Sequence, residues 1–285
     1  MPVLSSASIL EIERLLSLFP FDRLKEKWPN VKGKKHDRSS AIAAQRNRQT
    51  IIEFLDENLS CCKQHVFVFS TPKPLPHLPN LNIAGAEKLL KVAGQRELYL
   101  VKIRFDVVLR DPLEEASIEF LWPFRVEVMR DHLIIRFVVL EKNLSSYFGG
   151  RPSSTIRRTV DEDSILKEVK GLFNGELQPT DIHKGIKTLW KNDFMDGTRT
   201  RYRKQRSTAT EIMDETKHIK RDDPELYLVL LKSHLSNTLF QRTPTTQCEV
   251  PAFWIEAANG EIDFSRYTDK RGHTDFIIDE ILRHN

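Results

Sequence analysis

Three arginines spaced two residues apart form the most distinctive chemical pattern in this sequence. Arg199, Arg201 and Arg203 alternate with uncharged side chains. In a β-strand, residues two apart lie on the same face, so this spacing predicts a row of three guanidinium groups. A guanidinium group binds phosphate through two parallel hydrogen bonds, and a row of them neutralises several phosphates together. We therefore predict a phosphate-binding surface here, which also includes Lys204 and Arg206.

A predicted helix over residues 180–192 precedes this strand and adds three lysines. Lys184, Lys187 and Lys191 have the i, i+3 and i+7 spacing that places side chains on one helix face. The order of helix, turn and basic strand resembles the end of a winged-helix domain. That resemblance implies a helix that enters the major groove and a wing that follows the DNA backbone.

A second basic segment lies near the N-terminus. Lys32, Lys34 and Lys35 surround Gly33, and Arg38 follows them. Glycine lets the backbone approach a phosphate closely, so the cluster is typical of a phosphate-contacting loop. Residues 21–45 resemble a SAP-type DNA-binding motif, in which a short helix, an extended Gly-x-Lys loop and a second helix present lysines and amides to DNA. The matching positions are Leu24, Lys25, Gly33, Lys35 and Ile42.

The charge balance of the whole chain makes these two segments stand out. Residues 22–48 contain nine Lys and Arg against three Asp and Glu, and residues 184–206 contain eight against two. Each segment therefore has an excess of six positive charges, whereas the net charge of the chain is +4. Such concentration is the electrostatic footprint of nucleic-acid binding. We expect non-catalytic binding, to DNA ahead of RNA, through phosphate contacts that carry little sequence specificity.

Two other interpretations of the basic strand remain open. The acidic residues between Glu211 and Glu225 could neutralise the arginines within the chain, or the arginines could bind an acidic protein partner, as in an adaptor. A metal-dependent nuclease is a third hypothesis for the protein. Carboxylates hold Mg²⁺ and a lysine stabilises developing charge in such enzymes. The residues that suggest it are Asp161, Asp163, Glu168 and Lys170.

The remaining composition excludes several kinds of chemistry. Nine histidines and three cysteines show no His-x₃-His or Cys-x₂-Cys spacing, so we expect no zinc site and no other cofactor. The odd cysteine count and the adjacent pair Cys61 and Cys62 indicate a reducing compartment. The N-terminus lacks the pattern of a secretory signal, and the longest apolar runs have the length of strands. We therefore predict an intracellular protein with no membrane partner.

Hydrophobic periodicity predicts an α+β fold in which three blocks follow one another. These are an N-terminal helical module over residues 1–60, an antiparallel β domain over 61–150, and a mostly helical C-terminal region over 151–285 with a possible winged-helix-like element. In the first block a long helix is predicted over residues 38–58. In the last block, helices are predicted over residues 165–173, 180–192, 209–220, 224–239 and 275–283.

Overall fold

The computed structural model of the chain describes residues 3–45, 47–75, 77–79, 81–92, 95–140, 144–203, 208–213, 217–242, 250–268 and 270–285. Its helices are α1 (Ile9–Ser17), α2 (Phe21–Lys27), α3 (Lys35–Gln45), α4 (Arg48–Asn58), α5 (Glu162–Leu172), α6 (His183–Lys191), α7 (Ile219–Asp222), α8 (Pro224–Lys232) and α9 (His273–Arg283).

The strands are β1 (Gln64–Ser70), β2 (Ala86–Val92), β3 (Arg96–Leu109), β4 (Glu114–Met129), β5 (His132–Val138), β6 (Ser153–Arg158), β7 (Gln178–Pro179), β8 (Asp196–Arg203), β9 (Thr208–Ile212), β10 (Leu235–Gln241), β11 (Ala252–Glu256) and β12 (Glu261–Phe264). Helices and antiparallel strand pairs contribute comparable parts of the chain, which confirms the predicted α+β class.

The chain divides into two compact units that are interleaved in sequence. The first contains Met1–Leu59, Pro79–Val126 and Phe137–Glu176, and the second contains Ser60–Leu78, Glu127–Arg136 and Leu177–Asn285. The division into three consecutive blocks stays a prediction.

The first unit combines helices α1 to α5 with the sheet order β2-β3-β4, and β6 pairs with β3. Ser8 begins α1 because its hydroxyl accepts a hydrogen bond from the Glu11 amide, and the Glu11 carboxylate accepts one from the Ser8 amide. This reciprocal pair is a capping box. The buried Arg125 guanidinium donates to the Asp56 carbonyl at 2.5 Å, which attaches α4 to β4.

The second unit is a sheet with four helices packed against one face. Its strand order is β5-β1-β12-β11-β10-β8-β9, with β7 on β1, and the successive pairings from β1 to β9 are antiparallel. The core contains alternate residues of the strands, such as Tyr202 and Phe253, together with Trp190 of α6 and Ile281 of α9. A Cβ atom on Gly185 would lie 2.0 Å from the Ile281 carbonyl oxygen, so only glycine lets α6 approach α9 this closely.

Three element predictions were wrong. The helix expected over residues 38–58 is two helices, because Asn47 ends the first run and caps α4 by accepting a hydrogen bond from the Thr50 amide at 3.2 Å. The helix expected over 209–220 contains strand β9 at its start and only the short α7 at its end. The helix expected over 224–239 ends at Lys232, and β10 follows. Strand pairing in the second unit therefore replaces much of the predicted helical region.

Candidate nucleic-acid interface

Strand β8 presents its three arginines on one exposed face, as the spacing predicts. Arg199, Arg201 and Arg203 are exposed, whereas Thr200 and Tyr202 between them are buried. Tyr202 belongs to the hydrophobic core that the helices of the second unit cover. The arginines consequently lie on the other side of the sheet, away from those helices.

The Asp196 carboxylate fixes the start of β8. Its buried Oδ1 accepts hydrogen bonds from the Trp190 indole at 2.9 Å, the Gly197 amide at 2.7 Å and the Lys220 amide at 2.9 Å. Oδ2 accepts a further bond from the Arg221 amide at 3.2 Å. One carboxylate therefore joins α6, β8 and α7, and buried polar groups held in this way set a unique arrangement of the backbone. The sequence predicts only a turn between α6 and β8.

Three of the acidic residues near β8 in sequence have hydrogen-bond partners other than the arginines. Tyr202 donates to the Glu211 carboxylate at 3.4 Å on the core side of the hairpin, and Asp223 caps α8 by accepting from the Leu226 amide. The Arg221 guanidinium and the His218 amide donate to Asp222 and lower the pKa of its carboxyl to about 2. Within the described residues, no carboxylate lies within 4.0 Å of the three β8 guanidinium groups. None of the carboxylates that the structure describes therefore neutralises these charges, whereas Asp214 and Glu215 of the acidic stretch lie outside the described residues.

Trp254 is a member of this face that the sequence prediction missed. In the strand register Arg199 lies opposite Leu239, and Leu239 lies opposite Trp254, so all three share one side of the sheet. The Arg199 guanidinium is 5.5 Å from the centre of the Trp254 ring, within cation–π distance. The sequence did contain a signal for this position. Phe253 and Ile255 are typical core residues, so Trp254 between them is expected on the opposite face of the strand.

The α6 lysines lie on a different side of the second unit from the β8 arginines. Helix α6 packs Ile186, Leu189 and Trp190 into the core on the Tyr202 side of the sheet. Lys184 and Lys191 are exposed, but the half-buried Lys187 ammonium donates to the Ser233 carbonyl at 2.6 Å. Burial lowers the pKa of Lys187. The lysine face of α6 and the arginine face of β8 therefore both exist, but they do not form one continuous surface.

The winged-helix interpretation is not confirmed. Strand β8 lies between β9 and β10, so the β8–β9 hairpin is the edge of a larger sheet rather than a separate wing. Lys204 and Arg206, also predicted to bind phosphate, lie outside the described residues.

The N-terminal segment has the predicted order of helix, loop and helix, formed by α2, residues 28–34 and α3. Gly33 has a φ of 112°, and a Cβ atom there would lie 2.9 Å from the Asp37 Cβ, so this loop requires glycine. Lys32 and Lys34 are exposed, whereas Lys35 is half-buried at the start of α3.

Arg38 is buried, contrary to its predicted place on the phosphate-binding surface. The exposed fraction of this residue is 7%. Its guanidinium donates to the Trp28 carbonyl at 2.6 Å and lies 5.7 Å from the centre of the Phe21 ring. Arg38 therefore holds α3 against α2 and the loop that follows it.

Two of the residues that suggested a nuclease, Asp161 and Glu168, have structural roles. Asp161 caps α5 by accepting from the Ser164 amide at 2.9 Å, and this bond lowers the pKa of its carboxyl. The Glu168 carboxylate accepts a hydrogen bond from the Ala84 amide. Asp163 and Lys170 lie on the same helix. Among the residues that the structure describes, no three His, Cys, Asp or Glu side chains are grouped so that they could hold a metal ion.

Comparison with known proteins does not assign the chain to a family. No protein-family model, no curated protein and no solved structure matches it. In the described ranges, every helix is too short or too polar to cross a membrane.

Proposed function

We propose that this protein binds nucleic acid without catalysis, and that Arg199, Arg201 and Arg203 supply the main phosphate contacts. The observation that carries the proposal is the row of three exposed guanidinium groups with no carboxylate partner among the described residues. The exposed lysines Lys32 and Lys34 provide a second, weaker basic surface.

Contacts of this kind give affinity rather than sequence recognition. Each guanidinium can donate two hydrogen bonds to a phosphate, and each neutralised phosphate releases condensed counterions. The arginines lie on a sheet face and not on a helix that could enter a major groove, so backbone contacts dominate. Duplex DNA is the proposed ligand ahead of RNA.

The test is the affinity of a short labelled DNA duplex, measured by fluorescence anisotropy at low salt. We expect the double variant Arg199→Glu with Arg201→Glu to lose orders of magnitude in affinity, because several phosphate contacts are replaced by repulsion. The matched control is Lys167→Glu with Lys232→Glu, which changes the net charge equally at exposed helix positions outside the basic segments. An affinity for the arginine variant within about twofold of the wild type would refute the proposal.

Polyglutamate serves as the probe for an acidic protein partner. If the wild-type protein binds polyglutamate at low salt but does not bind duplex DNA, the arginine face is a protein-interaction surface. The nucleic-acid proposal would then be rejected in favour of an adaptor role.

A further inference from the structure

A row of apolar side chains crosses the arginine face of the second unit. In the register of the sheet, Ile212 of β9 lies opposite Arg199 of β8. On the other side of β8, Leu239 of β10 lies opposite Arg199 and also opposite Trp254 of β11. Because directly opposed residues of neighbouring strands share one face of a sheet, apolar side chains flank Arg199 on both sides. We call Ile212, Leu239 and Trp254 the apolar row.

The apolar row is not part of the hydrophobic core. Ile212 has an exposed fraction of 66%, and Leu239 and Trp254 are half-buried. The residues next to them in their strands, Phe240 and Phe253, are fully buried in the core on the other face. Accessible apolar groups beside a row of cations suit a ligand that carries both negative charge and flat apolar surface.

Duplex DNA would use only the cationic part of this surface. Its outside is the phosphate backbone, and the flat faces of its bases are stacked within the helix. The arginines can contact that backbone, but the apolar row would have no apolar partner there. An unpaired strand presents both chemical groups, because its phosphates carry charge while its bases are free to stack on aromatic side chains.

Arg199 and Trp254 place the two kinds of contact within reach of one nucleotide. The Arg199 guanidinium lies 5.5 Å from the centre of the Trp254 ring. The guanidinium can donate two hydrogen bonds to a phosphate, and the indole ring is a large flat surface for a base. Every base has a π-face, so stacking of this kind selects unpaired nucleotides and not a particular sequence.

Acidic side chains limit the surface on the side of β12. Asp263 lies opposite Trp254, and Glu256 lies opposite Glu261. The Glu256 carboxylate accepts a hydrogen bond from the Asn237 amide at 3.0 Å, which holds its negative charge next to β10. Carboxylates repel phosphates, so the charge pattern favours a strand whose phosphates follow β8 and do not cross the sheet toward β12.

We propose that the β8 face binds single-stranded segments of DNA in preference to duplex DNA. The phosphates lie on Arg199, Arg201 and Arg203, and an unpaired base stacks on Trp254. This inference rests on the proposed function, in which the same arginines bind phosphate, and it adds which state of the strand the surface selects. Duplex DNA binds through the arginines alone, whereas an unpaired strand gains the stacking contact.

The test compares the affinities of a labelled pyrimidine oligonucleotide, alone and paired with its complement, by fluorescence anisotropy at one salt concentration. Charge alone favours the duplex, because each neutralised phosphate contributes about 0.9 to the salt slope for a duplex and about 0.7 for a single strand. Tighter binding of the single strand therefore reports contacts with bases. We expect its affinity to exceed that of the duplex by at least about fivefold.

Variants of Trp254 assign this preference to stacking. Trp254→Leu keeps an apolar side chain without a ring and should weaken single-strand binding about tenfold, while duplex affinity stays within about twofold of the wild type. Trp254→Phe keeps an aromatic ring and should retain a preference for the single strand. The ratio of the two affinities does not depend on the folded fraction of a preparation, so a partly unfolded variant remains informative.

Phe276→Leu is the matched control. Phe276 is an exposed aromatic residue of α9, a helix that packs Ile277 and Ile281 into the core on the other side of the sheet. This variant should leave both affinities unchanged.

The outcomes distinguish this inference from the proposed function. If the duplex binds as tightly as the single strand, or if Trp254→Leu weakens both equally, the single-strand preference is overturned while phosphate binding by the arginines stands. If Arg199→Glu with Arg201→Glu leaves both affinities unchanged, or if the wild type binds neither form, the proposed function fails and this inference fails with it.

Discussion

The two basic segments have the same excess of charge, yet they use it differently. In the N-terminal segment, Arg23 pairs with Glu26 at 2.7 Å, and the Arg38 guanidinium is buried against a backbone carbonyl. In β8, strand alternation exposes three arginines together and directs the uncharged residues to the core. The density of charge in a sequence therefore does not measure the charge available to a ligand. The period of the secondary structure decides which cations reach the surface and which become part of the fold.

The largest difference between the two basic segments should appear in DNA affinity when the same charge reversal is made in each of them. We expect Arg199→Glu with Arg201→Glu to reduce affinity for duplex DNA by orders of magnitude, and Lys32→Glu with Lys34→Glu to reduce it less than about tenfold. Both variants change the net charge equally, and anisotropy at one salt concentration compares them. Equal losses of affinity would show that the two segments contribute alike to DNA binding.

Arg38 and Arg201 should differ in the free energy of unfolding. Arg38→Ala removes a buried, charged donor to the Trp28 carbonyl, which keeps its hydrogen bond from the Val31 amide, and should reduce stability by about 1–3 kcal/mol. Arg201→Ala removes an exposed side chain with no carboxylate partner among the described residues and should change stability by less than about 0.5 kcal/mol. Urea unfolding monitored by circular dichroism measures both. A stability loss in Arg201→Ala equal to that in Arg38→Ala would contradict the assigned roles.

The salt dependence of binding should report how many β8 arginines contact phosphate. For duplex DNA, each contact contributes about 0.9 to the slope of log affinity against log salt concentration. Replacing Arg199, Arg201 and Arg203 by glutamine should therefore reduce the slope by about 2–3. Arg221→Gln is the matched control, because its guanidinium is paired with Asp222 at 2.8 Å. The slope of this control should equal that of the wild type.

Asp222 should give the smallest effect, and the pH dependence of this effect should appear only in acid. Because the pKa of its carboxyl is about 2 in the folded protein, below the ordinary value of 3.8, its contribution to stability is fully present above about pH 5. That contribution disappears as the pH falls through 2. The difference in free energy of unfolding between the wild type and Asp222→Asn should thus be constant near neutrality and shrink between pH 4 and pH 2. A difference that grows in acid would exclude the Arg221 pairing.

Local periodicity predicted the elements that position the arginine face. Helix α6 and strand β8 lie where the spacing of their apolar and charged residues indicates, because short-range alternation determines which side of each element is buried. The start of α4 could also have been found, since Asn47 is a typical N-cap residue.

Interactions between distant residues explain what the sequence did not predict. Strand β9 is completed by its pairing with β8, although the β-branched residues Thr208, Thr210 and Ile212 alternate as in a strand and could have indicated it. Asp196 receives hydrogen bonds from residues up to 25 positions away. Trp254 shares a face with Arg199 only because β10 lies between them.

The strict alternation of β8 makes this surface more sensitive to changes in chain length than to changes of residue. A substitution at Arg199 or Arg203 alters one charge and leaves the rest in place. Deleting a single residue after Asp196 would turn every following side chain to the opposite side, so guanidinium groups would meet the core where Tyr202 now lies. Sequences that preserve this surface should therefore keep the number of residues between Asp196 and Arg203, while insertions and deletions are confined to the connections on either side.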